Sequence, residues 1–169
     1  IAVRTGEQLA VVDPRHREVS FVSGTRELFD LLVVVPPHRA AAVARTAGLV
    51  EGDWVPVALQ TMRTKVEGIW AIGDVAAVRI RDNLVVPKAA VFAQQQAEIA
   101  ARDIARFLGY AAPDPEVRAF GRCWFIAGRG SAGIIEGDFL AEPRPAVTFQ
   151  SPTSEGFAQM ENELAAWLA

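Results

Sequence analysis

The segment that most constrains the fold of this chain covers residues 68–76, with the sequence Gly-Ile-Trp-Ala-Ile-Gly-Asp-Val-Ala. The apolar run at 69–72 is typical of a short buried strand. Gly73 and Asp74 follow at once, so we expect this strand to end abruptly and to present one carboxylate at its tip. In open α/β sheets, ligands bind in the crevice beyond the carboxyl ends of the strands. The segment therefore predicts an α/β sheet with a ligand at this edge.

Asp74 is the first candidate site residue. An ionised carboxylate is a strong acceptor for the paired hydroxyls of a sugar or a ribityl chain. Gly73 has no side chain, so a ligand can approach its backbone closely. The alternative is a turn aspartate that bonds to its own backbone or caps the next segment. The spacing alone leaves both interpretations open.

The second candidate is the start of an alanine-rich helix predicted over 88–108. Proline suits the first helical position, where we place Pro87, and the residue before it is a poor N-cap. The amides of Ala89 and Ala90 then face either water or an electron-rich ligand. Lys88 would add a full positive charge there, although lone lysines are mostly solvated. With a flavin, these groups would stabilise the negative charge that appears near N1 on reduction.

Cys123 is the third candidate. A single cysteine is usually a small buried hydrophobe. Its neighbours Gly121 and Arg122, with Gly-Arg-Gly at 128–130, suggest instead an accessible loop whose positive charge would activate the thiol. The glycines at 128, 130 and 133 have the spacing of a dinucleotide fingerprint, but no long helix follows them. We therefore interpret that segment as a hairpin loop.

The rest of the pattern predicts a mixture of short strands and helices. Before the glycine–aspartate segment we expect a hairpin at 9–13 and 18–22, a strand buried on both faces at 31–35, a short helix at 39–47 and a strand at 54–59. After a connector at 111–115 we expect three strands at 124–127, 134–137 and 146–149 and an amphipathic helix carrying Phe157, Met160, Leu164 and Trp167 on one stripe.

Composition limits the classes of function. The 169 residues carry a formal net charge of −3, which gives no reason to expect nucleic-acid binding. No apolar run approaches the roughly 20 residues of a membrane span. One cysteine and two isolated histidines offer no zinc-ligand spacing, so no metal site is expected. We expect a cytoplasmic protein, or one held peripherally at a membrane. The start Ile-Ala-Val-Arg suggests a fragment of a larger protein.

Three segments together resemble the C-terminal half of the sulfide:quinone oxidoreductase and flavocytochrome c sulfide dehydrogenase group, within the pyridine nucleotide-disulfide oxidoreductase-like flavoproteins. Residues 29–39 resemble that family's return crossing from its second domain to its flavin domain. Residues 61–76 resemble its second FAD motif. Residues 86–90 and 94–97 resemble the helix whose N-terminus approaches the isoalloxazine ring.

The resemblance implies an α/β fold in three parts. Residues 1–37 would be a hairpin and return strand from the second, NAD-like domain. Residues 38–110 would be the C-terminal part of an incomplete FAD-binding Rossmann-like domain. Residues 111–169 would form a small α+β C-terminal domain that serves as an interface, and a homodimer is expected.

The resemblance also assigns residues and an activity. The implied cofactor-binding residues are Gly73, Asp74, Lys88, Ala89, Ala90 and Pro37, and the implied catalytic residues are Cys123 and Lys88. The implied parent is an FAD-dependent oxidoreductase that passes electrons from sulfide or a related small-molecule reductant to a quinone or another acceptor.

Two departures from the family limit what the chain should do by itself. The glycine-rich βαβ unit for the ADP half of FAD is missing, and so is a second cysteine. We therefore expect the missing N-terminal half to be a partner, and this chain alone to be inactive with little or no FAD. The alternatives are an NAD(P)H-dependent flavin reductase or alternative NADH dehydrogenase, and a truncated domain that only self-associates.

Overall fold

The computed structural model describes residues 3–81 and 84–168, and the described residues form a mixed α/β chain with three small sheets and three α-helices. The chain divides into two compact units, the first ending at Pro37 and the second beginning at His38. No helix within the described ranges is both long and apolar enough to cross a bilayer.

The first unit is a three-stranded antiparallel sheet. Its strands β1 (Leu9–Asp13), β2 (Glu18–Phe21) and β3 (Arg26–Leu28) follow each other in space as in sequence. The carboxylate of Asp13 accepts hydrogen bonds from the amides of Arg15 and His16 at 2.9 and 3.1 Å, which closes the first turn. The predicted hairpin is confirmed.

The strand predicted at 31–35 is wrong. Those residues belong to no sheet, and the side chains of Leu31, Val33 and Val35 are 82%, 85% and 80% exposed. A strand that is aliphatic on both faces is stable only inside a sheet that is covered on both sides. The described residues provide neither a neighbouring strand nor a covering layer for this segment.

The second unit begins with a small mixed sheet. The strand β4 (Val55–Val57) pairs in parallel with β5 (Ala76–Arg81), which pairs in antiparallel with β6 (Leu84–Val85). A short helix α1 (Ala42–Thr46) precedes the sheet, and the long helix α2 (Ala90–Phe107) follows it. The strand at 54–59 and both helices are confirmed with shorter bounds. The expected inward face of small residues on α2 is wrong, because the buried residues of the helix are Phe92, Gln96, Ile99, Ala100 and Asp103.

The core of this unit lies between the sheet and α2. It contains buried side chains from β5, from α2 and from the segments next to the strands, namely Met62, Ala76, Val78, Val86, Phe92, Ile99, Ala100 and Ala119. Burying an aliphatic or aromatic side chain contributes about 1.5–3 kcal/mol relative to leaving it exposed. The core therefore fixes α2 against the segment that contains Gly73 and Asp74.

The strand predicted at 69–72 is also wrong. Trp70 forms only an isolated bridge with Arg63, and a single 3₁₀ turn, Gly73–Val75, leads directly into β5. Asp74 therefore stands before a strand rather than at the tip of one. A strand needs neighbouring backbone to satisfy its amides and carbonyls, and in the described part of the chain only the segment around Arg63 supplies any.

The C-terminal part is an antiparallel sheet with a helix on one face. The strands β7 (Phe120–Gly128), β8 (Ser131–Asp138) and β9 (Ala146–Thr153) are followed by α3 (Ser154–Leu168). The three predicted strands and the final helix are confirmed, each strand being longer than expected. The glycine-rich segment is a hairpin turn between β7 and β8, as predicted.

Helix α2 also holds this sheet. A Cβ on Gly121 would overlap the ring of Phe92, so the aromatic ring packs directly on the glycine of β7. Phe92 meets Phe139 edge-on at 5.5 Å between ring centroids, and the amide of the Gln95 side chain donates to the carbonyl of Phe120 at 2.7 Å. One helix thus contacts both sheets of the second unit.

The exposed aliphatic segment at 31–35 predicts self-association of this chain in solution. Replacing both Val33 and Val35 by Lys should weaken that association by about tenfold or more, since each buried valine contributes about 1.5 kcal/mol. A light-scattering dilution series measures the effect. Val22→Lys, at a position that is 69% exposed outside the segment, is the matched control. A wild-type chain that stays monomeric at every concentration would contradict this prediction.

Candidate functional site

The candidate site is the 3₁₀ turn Gly73–Val75 together with the first half of α2. Gly73 has a φ of +70°, a left-handed conformation that glycine adopts without strain. A Cβ at this position would meet the Cβ of Ala93 only at 3.7 Å, an ordinary contact. Glycine is therefore required here for its backbone conformation rather than for lack of space.

Gln96 fixes the amide of this glycine. Its side chain is only 7% exposed, and its Oε1 accepts a hydrogen bond from the Gly73 amide at 2.7 Å. Gln96 was not predicted as a site residue, although it lies in the segment 94–97 whose resemblance to a flavin-facing helix is described above. The available signal was a polar residue at helical spacing from Ala93 and Ala100, on the helix face that also carries the apolar Phe92 and Ile99.

Lys88 holds the other end of the turn. Its Nζ donates to the carbonyl oxygens of Asp74 and Ala76 at 2.6 and 2.9 Å and lies 3.8 Å from the ring centroid of Trp54. Desolvation by these neighbours lowers the pKa of Lys88, while the charge of Asp74 acts in the opposite direction. The ammonium thus makes its hydrogen bonds to the turn backbone and its cation–π contact with Trp54.

The carboxylate of Asp74 is left without a protein partner. Asp74 is exposed, and within residues 3–81 and 84–168 its side-chain oxygens accept no hydrogen bond. The backbone carbonyl of the same residue is bonded to Lys88. The turn therefore presents an ionisable acceptor to its surroundings, while the Gly73 amide and the Asp74 carbonyl are bonded to Gln96 and Lys88.

The start of α2 provides donors next to this acceptor. Ala89 is the N-cap in an extended conformation with no side-chain cap, and Ala90 is the first helical residue. The prediction that Pro87 occupies the first helical position is wrong, because the Val86 amide bonds to the Val78 carbonyl at 2.9 Å and keeps the chain in the sheet at that point. The first amides of α2 have no side-chain cap, as expected.

Pro37 lies in the first unit. There it borders an open groove of about 650 Å³ with Val34, Val35 and residues of β1. The lining is mainly apolar, and nothing in that groove tests a cofactor contact. The assignment of Pro37 to the cofactor site stays a prediction.

Cys123 is exposed, but it lies within β7 opposite Ile135 rather than in a loop. The expected positive charge beside it is also wrong, because successive strand residues point to opposite faces. The side chain of Arg122 turns to the α3 side, where its Nη1 lies 3.1 Å from Glu163. Cys123 shares its own face with Phe125 and Phe149, whose rings stack at 5.1 Å. A role in thiol chemistry stays a prediction.

A buried carboxylate on α2 supports the segment before the turn. Asp103 is 5% exposed, and it accepts hydrogen bonds from Arg63 Nε at 2.5 Å and from Trp70 Nε1 at 2.7 Å. Trp70 also meets Phe107 edge-on at 5.3 Å between centroids, and the Arg63 guanidinium lies over both rings. Trp70, three residues before Gly73, is thus held to the second half of α2.

The same contacts set the ionisation of this carboxylate. Burial by itself would raise the pKa of Asp103, but the hydrogen bonds from Arg63 and Trp70 outweigh it and bring the pKa below the ordinary value of 3.8. Among the described residues, no group of three or more His, Cys, Asp or Glu side chains is arranged to hold a metal ion.

Comparison with known proteins gives one kind of match. No family model matches the sequence, and no curated protein matches it. Among solved structures, the chain is similar to the reductase in the covalent putidaredoxin reductase–putidaredoxin complex, with 21% identity and a TM-score of 0.56. The similarity covers 88% of this chain and 38% of that chain, so the chain spans well under half of the reductase. At this identity the similarity shows a shared fold.

Replacing Asp103 by Asn should lower the free energy of unfolding by about 1–3 kcal/mol at neutral pH, because Arg63 loses a charged partner at a buried site. The native pKa lies below 3.8, so the stabilisation by Asp103 is complete above that value and is lost as the pH falls through the native pKa. The variant should therefore lose less stability than the wild type on acidification.

Urea unfolding at neutral pH and at about pH 3 measures both effects. Asp53→Asn is the matched control, because its carboxylate is 62% exposed and lies 3.8 Å from Arg39. We expect the control to change the stability by less than about 0.5 kcal/mol. If Asp103→Asn and Asp53→Asn changed the free energy of unfolding equally at neutral pH, the prediction that the buried Asp103 stabilises the fold would be contradicted.

Proposed function

We propose that this chain contributes the ribityl-binding turn and the flavin-facing helix of an FAD-dependent oxidoreductase. The observation that carries the proposal is the exposed carboxylate of Asp74, in a turn whose Gly73 amide and Asp74 carbonyl are held by Gln96 and Lys88. The fold similarity to a reductase supports the same class of protein.

The residues around the turn fit such a cofactor. Asp74 offers an acceptor for the hydroxyls of a ribityl chain, and the uncapped amides of Ala89 and Ala90 offer donors for a flavin carbonyl. Lys88 links the turn to the start of α2, since it lies one residue before Ala89 and donates a hydrogen bond to the carbonyl of Asp74. Acceptor and donors therefore stand at neighbouring points of one surface. Bound FAD would supply the redox chemistry.

The chain's own residues would bind and orient. Asp74 would fix the ribityl chain by accepting from its hydroxyls, and the first amides of α2 would stabilise negative charge on the flavin carbonyl side. We assign no direct contact with the flavin to Lys88, because its ammonium donates to two backbone carbonyls. The pyrophosphate site is proposed to lie on polypeptide outside this sequence.

The electron donor we propose is sulfide or a related small-molecule reductant, with a quinone as acceptor. This assignment rests on the resemblance of residues 29–39, 61–76, 86–90 and 94–97, and on the exposed thiol of Cys123. An NAD(P)H donor is the second candidate. The reductase of similar fold was solved in a covalent complex with putidaredoxin, which favours a protein as the alternative acceptor.

Replacing Asp74 by Ala should weaken FAD binding by about 10–100-fold in the full protein that contains this chain, since a charge-assisted hydrogen bond contributes about 1.5–3 kcal/mol. Titration followed by flavin fluorescence and by the absorbance band near about 450 nm measures the affinity. The control is Asp53→Ala, at an exposed carboxylate outside the turn. An unchanged dissociation constant in Asp74→Ala, or no flavin in the wild type, would refute the proposal.

Replacing Cys123 by Ser separates the two electron donors. If sulfide is the donor and its oxidation passes through this thiol, the sulfide sulfur would bond to the Cys123 sulfur as a persulfide, and bound FAD would take up the two electrons and two protons released. Serine has no sulfur to form that bond, so sulfide-dependent reduction of the flavin should fall by at least about 100-fold. Reduction by NADH or NADPH should change by less than about twofold, because hydride transfer needs no protein thiol. Stopped-flow absorbance with each reductant is the measurement. Unchanged sulfide kinetics would exclude Cys123 from the reaction.

A further inference from the structure

Two side chains bond the backbone of the turn Gly73–Val75 and of Ala76, which follows it, at three points: Gln96 lies on α2, and Lys88 lies two residues before that helix. Gln96 accepts from the amide of Gly73, and Lys88 donates to the carbonyls of Asp74 and Ala76. Gln96 bonds the first residue of the turn and Lys88 the carbonyls of Asp74 and Ala76, so the two side chains hold opposite ends of it. The turn is thereby held from both sides, with the Asp74 carboxylate left exposed.

We infer that Gln96 and Lys88 are positioning residues that hold the turn backbone so that the Asp74 carboxylate faces a ligand. The inference rests on the proposed function for the identity of that ligand, a flavin ribityl chain. Both side chains are hydrogen-bonded to the turn backbone, so we assign neither of them a direct contact with the cofactor. Lys88 acts through the Asp74 carbonyl and Gln96 through the Gly73 amide.

The burial of Gln96 makes the first contact hard to replace. The side chain is 7% exposed, and the Gly73 turn that it meets packs on Ala93 of the same helix, so water does not readily take its place at the Gly73 amide. The hydrogen bond also fixes the peptide plane between Ile72 and Gly73, at the residue whose φ is +70°. Without it, a glycine in this conformation has access to many others.

The contacts of Lys88 decide what its charge does. An ammonium has three donor hydrogens, and here two go to carbonyl oxygens while the cation lies against the Trp54 ring. The charge therefore stabilises the C-terminal end of the turn, where two carbonyls converge. Lys88→Met keeps a side chain of similar length and removes the donors, so it should release the turn without emptying the site.

The test uses one residue type at two positions on α2. Gln96→Met removes the acceptor at similar volume, and Gln96→Glu keeps an acceptor oxygen. Gln94→Met is the matched control, because Gln94 is exposed on the same helix. The first readout is the hydrogen-exchange rate of the Gly73 amide, measured by NMR on this chain without any cofactor. The second is the dissociation constant for FAD in the full protein.

We expect Gln96→Met to raise the Gly73 exchange rate and to weaken FAD binding by about tenfold each, the effect of one lost hydrogen bond at a buried site. Gln96→Glu should restore the slow exchange of Gly73, and Gln94→Met should match the wild type in both readouts. Lys88→Met should weaken FAD binding to a similar extent and leave the Gly73 exchange rate closer to the wild-type value, because it releases the other end of the turn.

Three results would overturn the inference. An unchanged Gly73 exchange rate in Gln96→Met would show that Gln96 does not hold the turn. Faster exchange with an unchanged FAD dissociation constant would show that the held turn does not position the carboxylate. Faster exchange in Gln94→Met as well would show that the effect belongs to the helix in general.

A failure of the proposed function can be distinguished from a failure of the positioning role. If the wild-type full protein binds no FAD, the flavin assignment and the positioning role toward it are both refuted. The exchange rate of Gly73 in the cofactor-free chain still decides whether Gln96 holds the turn.

Discussion

The candidate site depends on a buried carboxylate whose hydrogen bonds offset its own desolvation. Asp103 lies on the inner face of α2, and its two strong donors, Arg63 and Trp70, come from the segment that leads to the glycine–aspartate turn. In the described part of the chain that segment forms no strand; backbone bonds such as that from the Ala71 amide to the Met62 carbonyl fold it locally, and the side chains of Arg63 and Trp70 tie it to α2. Removing one partner of a buried ion pair is far more costly than the net stabilisation of the pair, so the position of Trp70 and of the turn after it is tied to α2.

Helix α2 connects the candidate site to the C-terminal sheet. Along its length it meets the turn through Gln96, β7 through Phe92 and Gln95, and the segment before the turn through Asp103. Gly121, on which Phe92 packs, lies two residues before Cys123 in the same strand. A redox protein in which a thiol reacts with the cofactor needs a fixed distance and orientation between the two. In the proposed function, α2 would fix that distance, because it contacts both the turn and the strand that carries Cys123.

Sequence reasoning succeeded where structure is local. The periodicity of α2, the antiparallel strands from β7 to β9 and the hairpin of β1 and β2 all follow from patterns within about twenty residues. It was wrong for the aliphatic runs at 31–35 and 69–72, which need neighbouring strands that the described residues do not supply. An aliphatic run is stable as a strand only in a sheet that is covered on both faces, and the sequence of the run does not show whether such a sheet is present.

The sequence by itself determined that Gly73 can take a left-handed conformation, that Asp74 follows it, and that a helix of small residues begins soon afterwards. Tertiary structure decided which atoms each of the polar side chains contacts. It turned the Lys88 ammonium onto two backbone carbonyls, buried Gln96 against the Gly73 amide, and placed Cys123 on a strand face opposite to Arg122. The physical reason is that a hydrogen bond of a side chain depends on atoms far away in sequence, whereas backbone propensity depends on the residue and its near neighbours.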